Sequence, residues 1–174
     1  MVFIRFICLC IFLLTIQKSH GLNKISEIKA SIVIPQPIEI VFPILANATF
    51  DHLWRDEVNF VKIEGPFRVG AKLLENARLG FHSQYLTPTE ITSIITPYQA
   101  IYKTPKGHPF FLTSSRYFKE LKSDKTLFSY KVQFSENMIK DIWGIKIPPA
   151  IAVSVYRRTM RGYLSNILKL DIFQ

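Results

Sequence analysis

One amphipathic helix closes this chain, and it follows a long run of segments that alternate like strands. Pro148-Pro149 opens it, and no further proline interrupts Pro149–Lys169. On a helical wheel Ala152, Val153, Tyr156, Met160, Tyr163, Leu164 and Ile167 share one arc, whereas Arg158, Ser165 and Lys169 lie opposite. Arg157 and Arg161 flank the arc, where a long side chain carries its charge to the edge of an apolar stripe. A stripe of this length must be covered, and the large partner available upstream is β-structure. An α+β fold of two layers follows, with a sheet on one side and this helix on the other.

The upstream segments supply that sheet. Ile25–Ile34 puts Ile28, Ala30, Ile32 and Ile34 on one side and Lys29, Ser31 and Val33 on the other, which is the period of a half-buried strand. Pro37 then opens a short helix, Ile38–Leu45, with Ile38, Val41, Phe42 and Leu45 as its inward stripe and Pro43 as an expected kink. A second short helix, Phe50–Glu57, is expected to be capped by Thr49 and to carry Leu53 and Trp54. Strands are expected over 59–64, 71–77, 85–95, 100–104, 110–121 and 126–134, with Gly65-Pro66, Thr96-Pro97, Lys106–Pro109 and Lys122–Lys125 as turns. Phe128, Tyr130, Val132 and Phe134 give the last strand one aromatic face. Ser135–Pro149 fits no strand; its Met138, Ile139, Ile142, Trp143 and Ile145 suit either a flap or a lead-in to the final helix.

The first twenty-one residues read as a secretory leader. Arg5 precedes the apolar run Phe6–Ile16, and Ser19-His20-Gly21 offers small residues for cleavage after Gly21. That run is too short for the roughly 20 residues a bilayer span needs, so the cleaved product is not expected to span a membrane. Cleavage removes Cys8 and Cys10, leaving 22–174 as one domain held by its core without disulfides. It also removes Arg5 and Lys18, lowering the formal charge from +9 to +7. A positive exterior suits contact with anionic surfaces, but the basic residues are scattered and a nucleic-acid partner is not expected. Asn47-Ala48-Thr49 is an N-glycosylation sequon and fits an extracellular destination.

The phrase Ile34-Pro35-Gln36-Pro37-Ile38-Glu39-Ile40-Val41-Phe42, the Trp54 after it, the Gly65…Gly70 pair, the Glu90–Ile94 strand and the closing helix are similar to one superfamily. It is the START/Bet v 1-like superfamily, also called SRPBCC, which includes polyketide cyclase/dehydrase and lipid-transport proteins. The resemblance spans roughly Ile28–Leu170 and implies a helix-grip fold. In that fold a curved antiparallel sheet of about seven strands, two short helices and a long C-terminal helix enclose a cavity for a hydrophobic molecule. The expected wall comprises Tyr85, Tyr102, Tyr117, Phe128 and Tyr130 from strands and Tyr156, Met160 and Tyr163 from the helix. Hydroxyls on an apolar wall orient what the carbon surface binds.

Catalytic signals are sparse. His52 adjoins Asp51, but neighbours in sequence do not face each other on a helix, and His82 and His108 fall at strand ends or turns. Metal-ligand spacing, a nucleophile elbow and a glycine-rich phosphate loop are absent from the sequence, so no metal or cofactor is expected. Enzymes of the resembling superfamily polarise a carbonyl with a pocket Arg, Tyr or His. Arg116 is the polar candidate here, although an outward position on the wet sheet face is the expected one. The expected role is therefore a secreted, non-enzymatic holder of a lipid, sterol or aromatic metabolite. The alternatives are a cyclase/dehydratase-like enzyme using Arg116, Tyr130 or a pocket His, and a basic extracellular matrix component without a ligand.

Overall fold

The computed structural model describes residues 24–173 except 123 and 146; the expected leader lies outside them. Seven strands form one antiparallel sheet: β1 (Ile25–Ile34), β2 (Val58–Ile63), β3 (Lys72–Leu79), β4 (His82–Ile95), β5 (Gln99–Lys103), β6 (Leu112–Lys122) and β7 (Lys125–Ser135). Their order is β1-β7-β6-β5-β4-β3-β2, so β2 to β7 form a meander and β1 closes against its last strand. Register breaks at Val58/Phe60, Ala77/Leu79, Ile91/Ser93 and Glu120/Lys122 add twist, as bulges do, and help the sheet to curl.

Helix α1 (Ile38–Ala46) and a 3-10 helix (Ala48–Leu53) link β1 to β2. Pro43 is accommodated within α1, whose Ile38, Val41, Phe42 and Leu45 are buried as their spacing requires. The expected second α-helix is instead this short 3-10 segment, and its cap is Asn47 in place of Thr49. Asn47 Oδ1 accepts hydrogen bonds from the Thr49 amide at 3.1 Å and the Thr49 hydroxyl at 2.9 Å. A cap of this kind satisfies an orphan donor of the first turn.

The segment after β7, expected as either a flap or a lead-in to the final helix, forms a short helix of its own. It folds into α2 (Glu136–Trp143), which buries Met138, Ile139 and Ile142 and stops on Gly144 at φ +64. The closing helix α3 (Pro149–Ile167) follows, burying Ala152, Met160, Tyr163, Leu164 and Ile167. The stripe read from the sequence is the face α3 turns inward. Asn166 near its end donates to Asp56 Oδ2 at 3.0 Å, tying α3 to the loop before β2. Among the described residues no helix is long and apolar enough to cross a membrane.

Candidate functional site: an interior cavity with a charged end

A cavity of about 100 Å³ lies between the concave face of the sheet, α2 and α3. Leu112, Val132 and Phe134 from the sheet, and Met138, Ile139 and Ile142 from α2, form an apolar part of its wall. Of the residues expected to line it, Tyr102, Tyr130, Tyr156, Met160 and Tyr163 do so. Tyr85, Tyr117 and Phe128 do not. Tyr85 turns its hydroxyl to Asp141 Oδ2 on α2. Phe128 faces inward but is consumed by packing, edge-on to Trp54 at 5.9 Å and against Phe118 at 5.1 Å. Tyr117 falls between inward Arg116 and Phe118, so the strand period carries it to the other face.

The size of the space sets what fits without movement. A dry apolar cavity of about 150 Å³ accepts a benzene, while pockets for drug-sized ligands run to roughly 300–1,000 Å³. At about 100 Å³ the interior falls short of the benzene-sized case, so in this conformation it suits only a short chain. A larger guest requires α2 or α3 to move.

At the other end stands a buried ionic network that sequence reasoning missed. Arg116 is 1% exposed and points inward, which corrects the expected outward placement. Its Nη1 and Nη2 donate to Asp51 Oδ1 and Oδ2 at 2.8 and 2.6 Å, and Nη1 also reaches Leu45 O at 2.8 Å. The guanidinium lies among the rings of Tyr102, Trp54 and Tyr130 at 4.9, 5.7 and 5.7 Å. Asp51, fully buried, also accepts from Arg55 Nη1 at 2.9 Å. Arg55 in turn pairs with both oxygens of Glu75 and with Glu57 Oε1. A pair this deep persists only when its members satisfy one another. Burial alone would lower the pKa of both guanidiniums, but the facing carboxylates outweigh it and hold Arg55 and Arg116 above the ordinary value. Asp51 and Arg55, four residues apart, carried a legible ion-pair signal. Glu75 joins through β-strand register, which no local pattern announces.

This chemistry does not favour proton transfer. Burial pushes the Tyr102 and Tyr156 phenols up to about 12, and it raises Tyr130 and Tyr163 as well. Arg116 Nη1 and Nη2, which would face a carbonyl in the enzymatic reading, are occupied by Asp51 and Leu45, whereas its Nε is buried without a hydrogen bond among the described residues. His52, His82 and His108 do not line the cavity. His52 is exposed and meets Thr49 O, while His108 packs edge-on to Phe110. Among the described residues no cluster of His, Cys, Asp and Glu is arranged to hold a metal ion.

The architecture has many solved counterparts. A START superfamily protein from Mycobacterium smegmatis superposes with a TM-score of 0.65 at 11% identity, covering 82% of this chain and 94% of that one. The Zhui aromatase/cyclase from Streptomyces sp. R1128 gives 0.62 at 11% identity, with coverages of 84% and 90%. Major latex-like protein 151 from Panax ginseng gives 0.60 at 14%, with coverages of 83% and 96%. The chain has the START/Bet v 1-like helix-grip fold. At these identities the likeness concerns the fold alone, and no protein-family model or curated sequence matches the chain.

Proposed function

We propose that this chain is a secreted binding protein that holds a small hydrophobic molecule between its sheet and α3. The observation that carries the reading is the interior cavity, largely apolar in its wall and edged by the hydroxyls of Tyr102, Tyr130 and Tyr163. A closed core would interdigitate to near-crystalline density and leave no such space. The basic-then-apolar leader and the Asn47 sequon support an extracellular destination and a glycoprotein. The START-like fold supports a hydrophobic guest, and one of its counterparts is an aromatase/cyclase. A catalytic reading of that kind has less behind it, because its best polar group, Arg116, is committed to Asp51.

Thermal unfolding of the secreted protein with saturating toluene or 1-hexanol tests the reading. A guest at a hundred times its Kd stabilises by about 2.7 kcal/mol, a shift of several degrees for a domain of this size. Ser114→Leu, which fills the cavity from β6, should remove that shift. Wild-type protein unmoved by either probe, or Ser114→Leu responding like wild type, would sink the proposal.

A further inference from the structure

We propose that the face formed by α3 and the C-terminal end of α2 docks on an anionic phospholipid surface, with the β3–β4 turn and the first turns of α3 entering the head-group layer. This goes beyond the cavity reading and stands or falls separately from it.

Charge marks this face first. The basic residues form no run, but their excess is unevenly placed. Residues 142–170 hold Lys146, Arg157, Arg158, Arg161 and Lys169 and no Asp or Glu, so this stretch carries +5 of the +7 left after leader cleavage. Arg157, Arg158 and Arg161 are exposed on α3, and none of the three has an ion pair or hydrogen bond among the described residues. Two acids border the face, and each has a basic neighbour. Arg78 donates to the backbone oxygen of Asp56, and Lys140 precedes Asp141 on α2. The face therefore stays positive, and nothing within the fold neutralises the three arginines.

Apolar side chains gather at the same end. Phe81 in the β3–β4 turn is 79% exposed and meets Trp143 edge-on at 5.5 Å. Ile145, just past α2, is 61% exposed. Trp143 also stands beside Tyr156 of α3, and there exposed Ile151 and Val155, one turn apart, share an outward stripe with Arg158. A single exposed apolar residue is ordinary, but several flanked by arginines form the pattern of a helix lying in a membrane interface. A soluble polyanion would answer the arginines and leave Phe81, Ile145, Ile151 and Val155 in water. A lipid surface answers both, because its anionic head groups meet the guanidiniums while its acyl boundary receives the apolar tips.

Sedimentation of the secreted protein with vesicles of phosphatidylcholine, with and without phosphatidylserine at about one part in three, tests the docking. Phosphatidylserine should tighten binding by about tenfold or more. Arg158→Gln with Arg161→Gln should weaken it by about tenfold or more. Lys29→Gln with Lys119→Gln removes the same charge from exposed positions on the outer face of the sheet and should stay within about threefold of wild type. Phe81→Ser should weaken binding by about tenfold, and Ile151→Gln takes its place if that variant does not fold. The two tryptophans separate insertion from adhesion, since Trp54 is fully buried and Trp143 is half-buried beside Phe81. Lipids with brominated acyl chains should quench Trp143 emission, and Trp143→Phe should abolish that quenching. Absence of phosphatidylserine-dependent binding, equal losses from the two charge pairs, or retention without quenching overturns the proposal, the last in favour of a soluble polyanion. The cavity reading survives all three, because the 1-hexanol shift that tests it is measured without lipid.

Discussion

The two ends of the cavity are built on opposite principles. Beneath α1, Arg116, Asp51 and Arg55 lock the 3-10 helix to β6 and β3 through charge-assisted bonds whose geometry leaves little freedom. Beneath α2, closure depends on Met138, Ile139 and Ile142 lying against the sheet and on the β3–β4 turn touching Ile142. Apolar contacts are non-directional and can re-form after a shift, whereas a buried ion pair pulled apart leaves uncompensated charge. Stability is therefore concentrated at the charged end, and the capacity to admit a guest at the apolar end.

The contrast is most exposed to failure at Asp51. Asp51→Asn keeps the shape but leaves Arg116 and Arg55 facing a neutral amide inside the core. The expected cost is about 3–5 kcal/mol, read as a lower urea midpoint. A loss below about 1 kcal/mol would mean that the charged end is no stiffer than the apolar one.

Alkaline titration probes both ends at once. Tyr102 at the charged end and Tyr156 near α2 are each pushed from about 10 to about 12, chiefly by burial. A folded-state pKa above the unfolded one gives stability that is complete below pH 10 and lost as pH climbs toward 12. Each phenol should account for about 2–3 kcal/mol of that loss. Tyr102→Phe and Tyr156→Phe should each flatten the fall in the urea midpoint over this window. A flat profile in the wild type would show that the phenols are wetter than their burial implies.

How much of this was legible beforehand divides along the same line. The inward stripe of α3, the alternation of β1 and β7 and the order of elements follow from apolar periodicity, so fold and apolar wall could be read. The inward turn of Arg116 could not, because polar residues in β6 mask which face is wet. Ser114, Arg116 and Phe118 share the concave side, and only the aspartate brought over from the 3-10 helix makes an arginine tolerable there. Likewise α2 was obscured by Gly144 and the following prolines, which mark where it ends rather than exclude it.

At the apolar end the informative position is Gly80. It lies at φ +58, and an added Cβ would stand 2.6 Å from Ile142 O and 2.7 Å from Ile142 Cγ2. Gly80→Ala therefore pushes α2 off the β3–β4 turn, at an expected cost of about 1–3 kcal/mol. If that end is the entrance, the variant should also exchange its α2 amides faster and release 1-hexanol faster, with Arg116 and its neighbours undisturbed. Slower release would reverse the assignment of ends.

The smallest expected effect separates two roles of Asn47, at the start of the 3-10 helix that carries Asp51. Its Oδ1 caps that helix, while a glycan would attach through the side-chain nitrogen, so cap and modification use different atoms. Asn47→Ala should cost about 1 kcal/mol in unglycosylated protein. Asn47→Asp keeps the acceptor, abolishes the sequon and should stay within about 0.5 kcal/mol of wild type, since Asp caps as well as Asn. Equal losses in the two variants would show that the cap contributes nothing to holding Asp51 in place, and the rigidity of the charged end would then rest on its ion pairs alone.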